Sequence, residues 1–424
     1  MRPITAARPA GATNPMTDPI QTSADAAVAA QYEVYPYPAR DPKEETKRLI
    51  AGSPSNPVEI DHFLYAGTRD WTQPFRALIA GGGTGDALIQ LAQMLTTAKA
   101  PYEITYLDPS VAARDIAEAR AKARKLTGLR FITGSLMDAA DHGPFDYVDC
   151  CGVLHHLDDP VAGLKALKAA LTPTGGLGYM VYAPYGRSGV YPLQNALSQL
   201  LSGLPPEERL AVAKQILPKV PEGHPFRRNP HLGDHLGSDA GLYDLLLHSR
   251  DRAFTIREWL DALGEAGFDN ISMTAPALYD LSMVTPVPDG MDTVTQMELA
   301  EQLRGTIRKH TGYAAVAGKP RPPASAVSLA MVPHLDGPRA KIAEAVAKGA
   351  KLALTAQGTT FSLRLPKAAA PILNKVNGRR SLSDIAQQVH IDAIRFAEVW
   401  GHIDRAMTAT GNLRYSRLLR PGKG

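Results

Sequence analysis

The stretch "LIAGGGTGD", residues 78–86, constrains this chain more than any other. An apolar run, "FRALIA", ends in a glycine cluster, and "DALIQLAQML" follows with apolar residues at helical spacing. A strand that turns through glycine directly into a helix is the first half of a βα unit. The alternation continues. "YEITYLD" reads as a second strand, followed by the helical "VAARDIAEARAKARKL"; "LRFITGS" is a third strand, "FDYVDCCG" a fourth, "DPVAGLKALKAALTP" a helix and "GGLGYMVYAP" a fifth strand. Strands separated by helices predict a mostly parallel sheet wound on both faces. After residues 185–252, a helical insertion with Gly, Pro and His clusters, "TIREWLDALGEAGF" resumes the pattern. "DNISMTA" follows, then a helix over "VTQMELAEQLRGTIRKH" and a late strand, "TGYAAVAG".

The loop also narrows the ligand. Gly81, Gly83 and Gly85 are spaced G-x-G-x-G, whereas a dinucleotide fingerprint would need glycine where Asp86 stands. An acid at a helix start is poor company for a pyrophosphate. Asp108 ends the second strand about twenty residues further on, where a carboxylate accepts ribose hydroxyls. A ligand with ribose and no phosphates fits best. The plainer reading, a tight βα turn with no ligand, stays open for the loop taken alone.

In order and spacing, the run from Leu78 to Met180 resembles the class I S-adenosylmethionine-dependent methyltransferases. The glycine loop is similar to their first motif, "YLD" to the second, "ITGSLMD" to the adenine-contacting segment and "FDYVDCCGVLHHLDDP" to the fourth motif. "QYEVYPYPAR" and "DLLLHSRDRAFT" resemble segments of a bacterial subgroup with a YEENPYP-like N-terminal segment. The resemblance implies an α/β Rossmann-like, doubly wound, mostly parallel seven-stranded sheet with S-adenosylmethionine as cofactor and S-adenosylhomocysteine as product. It implies cofactor contacts from Gly81, Gly83, Gly85, Asp108 and Pro109, an adenine edge at Ser135 and Leu136, and a methionine wall at Cys150, Gly152 and Val153. One departure stands out. Many members carry an acid two residues before the first glycine, where this chain has Ile79, so the methionine amino group is expected to meet a backbone carbonyl at Ala80 or Gly81.

The expected reaction is methyl transfer by in-line displacement to an O or N atom of an unidentified small molecule, peptide or protein. It needs alignment and exclusion of water, with a base only if the acceptor must lose a proton. In "CCGVLHHLDDP", His155 reads either as a residue that holds the loop or as a proton acceptor, and His156 as a loop holder. Without a C-x-x-C or H-x-x-H partner pattern, no metal is expected. Within 24–70, a lid or substrate segment, Tyr32, Tyr35 and Tyr37 offer hydroxyls, Tyr37 as a catalytic candidate; a proline-stiffened linker is the alternative. In the insertion, Tyr243, Asp244 and His248 fall near one helical face. His248 reads as candidate base and Arg250 as a contact to an acidic substrate group, against the plainer reading of a solvated face.

Four regions follow: a disordered tail over 1–23, the segment 24–70, a methyltransferase domain over 71–322, and a smaller α+β, winged-helix-like unit over 323–424 after the break "KPRPPAS". "RRSLSDIAQQV" has the cadence of a helix-turn-helix start, which in enzymes more often serves packing or dimerisation, so a homodimer through this unit is one expected arrangement. A formal charge of +4 gives no reason to expect nucleic acid as a partner, and no apolar run reaches membrane-spanning length. Two adjacent cysteines and an N-terminus lacking an apolar signal core point to the cytoplasm. Two rivals remain: an NAD(P)-dependent oxidoreductase, and a non-catalytic regulatory protein that keeps the cofactor pocket.

Overall fold

The computed structural model describes residue 28 and residues 30–318 and 321–419; the tail expected over 1–23 lies outside them. Seven strands, β1 (Phe75–Ala80), β2 (Tyr102–Asp108), β3 (Leu129–Thr133), β4 (Phe145–Cys151), β5 (Leu171–Tyr182), β6 (Phe268–Met273) and β7 (Lys309–Val316), form one sheet. Their order is β3-β2-β1-β4-β5-β7-β6, with β7 antiparallel to both neighbours. The Rossmann-like, mostly parallel sheet expected from the sequence is the one observed. β1 is buried nearly throughout, as a central strand covered on both faces must be. The chain order reverses between β1 and β4, so a crevice opens above their carboxyl ends. That topology brings the glycine loop beside "CCGVLHH".

The helix Asp86–Ala98 turns Leu88, Leu91, Ala92 and Leu95 onto the sheet. Gly85 is where it meets the helix Val111–Ala123: a Cβ on Gly85 would stand 2.9 Å from the Cβ of Ala117, so a side chain there would push the two helices apart. The helix expected over 294–310 ends instead at Arg304. Gly305 takes the left-handed conformation (φ 62°), and β7 begins at Lys309.

Of the segment 24–70, only the first part covers the crevice. The helix Pro57–Leu64 is buried along its length and packs Val58, Ile60, Phe63 and Leu64 into one core with Phe75, Ala77 and Tyr313. It is also the dock for the C-terminal unit. Asp61 Oδ2 accepts hydrogen bonds from Trp71 Nε1 (3.0 Å) and Ser416 Oγ (2.7 Å), and His62 Nδ1 accepts one from the Tyr415 N–H (3.1 Å). The C-terminal unit has its own core, including Ile372, Ile385, Phe396, Trp400 and Ile403, and a hairpin of Leu352–Ala356 with Thr359–Leu363. The insertion after β5 packs the helices Val190–Leu200, Pro206–Ile216 and Asp239–Leu246 around Leu197, Leu210, Leu242 and Leu246. No helix among the described residues is long and apolar enough to cross a membrane.

Candidate functional site

A cavity of about 920 Å³ fills the crevice. The sheet supplies one end: Ile79, Gly81, Gly82, Gly83, Asp108, Pro109, Ser135, Leu136, Asp149, Gly152 and Val153 line it. The N-terminal segment, β5, the insertion and the start of β7 supply the other, with Tyr32, Tyr37, Tyr182, Arg187, Asp244, Arg250, Arg308 and Lys309.

At the sheet end, Asp108 is held by two backbone donors. The Gly83 N–H reaches Oδ2 at 2.8 Å and the Ser110 N–H reaches Oδ1 at 2.9 Å. Burial raises its pKa, and these two hydrogen bonds oppose the rise. The Tyr106 hydroxyl donates to the Gly83 carbonyl at 2.6 Å. Gly83 itself is left-handed (φ 49°), and a Cβ there would lie 2.6 Å from the Tyr37 carbonyl oxygen. The missing side chain is what lets the N-terminal segment lie across the loop. Thr84 Oγ1 donates to the Pro38 carbonyl at 2.6 Å, and Arg40 grips Asp86 through Nε (2.9 Å) and Nη2 (2.6 Å). Burial pushes the Asp86 carboxyl up, but the hydrogen bond and charge of Arg40, with the charge of Arg120, outweigh it, so Asp86 stays ionised. The acid after the third glycine therefore fastens the covering segment to the loop.

At the other end the centre is Asp244. It is 4% exposed and accepts hydrogen bonds from the Tyr32 hydroxyl on Oδ1 and from the Tyr182 hydroxyl on Oδ2, both at 3.3 Å. Burial, then the charge of Asp251, push its pKa up to about 7. His248 Nδ1 accepts the Arg250 N–H at 3.0 Å, so its proton sits on Nε2, which faces the Tyr32 hydroxyl at 3.0 Å. The order of donation is thus His248 to Tyr32 to Asp244. No lone pair of His248 is left to take a proton, and the chain of hydrogen bonds ends on the Asp244 carboxylate. Burial depresses the His248 pKa, so the ring stays neutral. Arg187 lies over the Tyr182 ring (3.6 Å to the centroid) and pairs with Asp251 at 3.0 Å. The C-terminal hairpin reaches this wall as well. Gln357 Oε1, at the tip, accepts the N–H groups of Arg308 (2.9 Å) and Lys309 (3.1 Å), and its Nε2 donates to the Lys309 carbonyl at 2.9 Å.

The sequence-derived candidates divide accordingly. Gly81, Gly83, Asp108, Pro109, Ser135, Leu136, Gly152, Val153, Tyr32, Tyr37, Asp244 and Arg250 come together around the cavity. Gly85 and Cys150 do not line it: Gly85 packs on Ala117, and Cys150 is 0% exposed in the core. Tyr35 and Tyr243 face away, stacked on each other 4.9 Å apart against the insertion. His248 stands behind Tyr32, and lies beyond the end of the helix Asp239–Leu246 rather than on its face. His155 and His156 exchange places relative to expectation. His155 is fully buried, without a hydrogen-bond partner among the described residues on either ring nitrogen, and packs on Tyr182 (4.0 Å); burial holds it neutral. His156 lines the cavity, with Nδ1 donating to the Arg250 carbonyl at 2.8 Å.

His156, Asp244 and His248 bring potential ligand atoms within 4.8 Å of one another, as do His155, His156 and Asp251. The His156 and His248 rings, however, are stacked 3.7 Å apart at 12°, so their in-plane lone pairs run side by side and do not converge on one ion.

Sequence reasoning missed Asp149, Tyr182, Arg187, Arg308 and Lys309. One signal for Asp149 was present: a carboxylate inside the apolar run of a central parallel strand is anomalous unless something holds it. The other four are ordinary residues until the fold assembles them.

Comparisons with known proteins bear on the domain and the fold. Residues 78–177 match the family model described as a methyltransferase domain. An uncharacterised protein of Synechococcus, syc1184_c, is 31% identical over 252 residues, which is 56% of this chain and 58% of that one. The chain thus spans less than two thirds of that curated relative. PKMT2 of Rickettsia typhi shares the fold at a TM-score of 0.56 and 14% identity, over 85% of this chain and 76% of its own. The same protein in complex with AdoHcy gives 0.55 and 12%, over 85% and 75%.

Proposed function

We propose that this chain, whose residues 78–177 match a methyltransferase-domain family model, transfers a methyl group from S-adenosylmethionine to an oxygen or nitrogen of an acceptor held between β5 and the insertion. The observation that carries the reading is one cavity with two unlike ends. The first suits a nucleoside: a loop stripped of side chains, Asp108 presented on two backbone donors, and Ser135 and Leu136 along one edge. The residues fit this cofactor better than a dinucleotide, because Asp86, locked to Arg40, stands where pyrophosphate would need an uncharged helix start. The fold shared with PKMT2, solved with AdoHcy, is one that can hold it.

When bound, S-adenosylmethionine supplies an activated methyl on sulfur, and neither a metal nor a covalent enzyme intermediate is required. The protein's own residues align, desolvate and take up a proton. Tyr37 and Pro38 cover the loop and exclude water. Asp244 receives the proton that an acceptor O–H or N–H must lose, while Tyr32 and Tyr182 orient its two oxygens. Arg187, Arg308 and Lys309 give this end cationic walls, which suits an acceptor with an acidic group. Whether that acceptor is a small molecule, a peptide or a protein is decided by incubating the pure protein with radiolabelled S-adenosylmethionine and cell extract, then separating the protein and small-molecule fractions. The cofactor half is tested by calorimetry. The wild type should bind S-adenosylhomocysteine and not NADH, and Asp108→Ala should lose at least about a hundredfold in affinity, since a buried carboxylate that accepts charge-assisted hydrogen bonds is removed. Unchanged affinity in that variant would refute the assignment. A regulatory protein without catalysis would bind the cofactor and transfer no label.

A further inference from the structure

The acid that many class I methyltransferases carry before the first glycine is absent here, and Ile79 occupies its place on β1. β4 runs parallel beside β1, and in the register of the two strands the partner of Ile79 is Asp149. The two residues therefore sit side by side at the carboxyl end of the sheet, and both line the cavity together with Gly81 and Gly82.

Asp149 is 1% exposed. Its Oδ2 is fully engaged, accepting the Ser55 hydroxyl at 2.8 Å and the Tyr147 hydroxyl at 2.9 Å. Its Oδ1 is buried and has no hydrogen-bond partner among the described residues. A half-satisfied carboxylate in the floor of a ligand cavity is costly for the fold unless a ligand completes it. An apolar residue would be cheaper at this point of a central strand, as Val148 and Cys150 on either side show. The hydroxyls on Oδ2 fix the orientation of the carboxylate. Burial has pushed its pKa up to about 6, so it is ionised at neutral pH without being drawn into an ion pair of its own.

The geometry points to Asp149 as the residue that receives the ammonium of the cofactor's amino-acid portion, the position of the missing acid having moved one strand across the sheet from β1 to β4. This rests on the methyl-donor reading above. It replaces the expectation that a backbone carbonyl at Ala80 or Gly81 alone meets that ammonium, and it makes Asp149 a positioning residue: an ammonium anchored there sets how far the sulfonium reaches along the cavity toward Asp244.

The test uses three probes on the full chain: S-adenosylhomocysteine, its analogue with the amino group replaced by hydrogen, and 5′-methylthioadenosine, which keeps the nucleoside and lacks the amino acid. Calorimetry on the wild type should show the amino group worth about ten- to a hundredfold in affinity, the range for a hydrogen bond to a charged group. Asp149→Asn should lose about the same factor for S-adenosylhomocysteine and leave 5′-methylthioadenosine within about twofold, which also reports that the variant is folded. If the wild type binds S-adenosylhomocysteine and the deaminated analogue equally, or if Asp149→Asn weakens all three probes alike, the assignment to Asp149 is overturned while the cofactor reading stands. If the wild type binds none of the probes, both fall. The wild-type comparison needs no variant, so equal affinities overturn the assignment even if Asp149→Asn does not fold. In that case the same comparison repeated at falling pH separates Asp149 from a backbone carbonyl. The gain from the amino group should shrink below about pH 6 if Asp149 supplies it and stay constant if a carbonyl does.

Discussion

The two ends of the cavity are built in opposite ways. At the glycine-loop end, the groups come from the backbone and short side chains of one continuous βα run, residues 79 to 153, and are fixed by strand register. At the Asp244 end they come from positions as distant as Tyr32, Tyr182, Arg187, Asp244 and Lys309, and are fixed by one another's hydrogen bonds. The first kind of site holds one invariant ligand and tolerates little drift. The second is a network whose members can change with the acceptor while the sheet beneath stays the same.

The sharpest way to separate the two ends is Asp244→Asn. If Asp244 takes the acceptor's proton, the variant loses about a hundredfold or more in label transfer yet binds S-adenosylhomocysteine within about twofold of wild type. The pH profile gives an independent reading. The carboxylate is the active form, and its pKa is pushed up to about 7. Transfer by the wild type should therefore fall about tenfold per unit below that pH and level off above it, while the residual activity of the variant shows no inflection there. Equal profiles would remove Asp244 from the chemistry. An intermediate effect is expected of Gly83→Ala, which strains a left-handed residue and drives a methyl toward the Tyr37 carbonyl. S-adenosylhomocysteine affinity should drop about tenfold, the equivalent of 1–2 kcal/mol of strain, and limited proteolysis should cut faster between residues 30 and 40. A smaller effect belongs to Tyr32→Phe. It removes a hydrogen bond that lowers the Asp244 pKa, so the midpoint of the rate profile should move upward by less than about one unit, with cofactor affinity unchanged.

The same contrast explains what the sequence disclosed. Gly81, Gly83 and Asp108 are legible because their placement depends on local spacing: a tight turn, then a strand that ends about twenty residues later. Ser135, Leu136, Gly152 and Val153 were reached through the order of motifs. Asp244 and His248 stand out in the sequence together, but spacing does not say which of them is free to accept a proton, since the deciding fact is tautomeric. The Arg250 N–H occupies Nδ1, and no spacing rule shows which histidine nitrogen a backbone amide will claim. His155 and His156 pose a related problem: they are adjacent on a short turn with rings 4.2 Å apart, and only the packed structure decides which of the two reaches the cavity. Arg308 and Lys309 were hidden inside an expected helix because Gly305 was not read as its stop. The helix Pro57–Leu64, assigned to a covering segment, belongs to the core because its burial is on every face, a pattern that amphipathic reasoning does not detect.

Gln357 carries a consequence for how such a protein can change over generations. By bonding the backbone of residues 308 and 309, a glutamine in the C-terminal unit sets the shape of a wall that the sheet domain uses. The two units are therefore not interchangeable modules. A swap of the C-terminal unit between relatives would exchange the brace behind residues 308 and 309 while leaving those residues in place, so a change in that wall of the cavity would leave its trace in the hairpin as well as in the sheet.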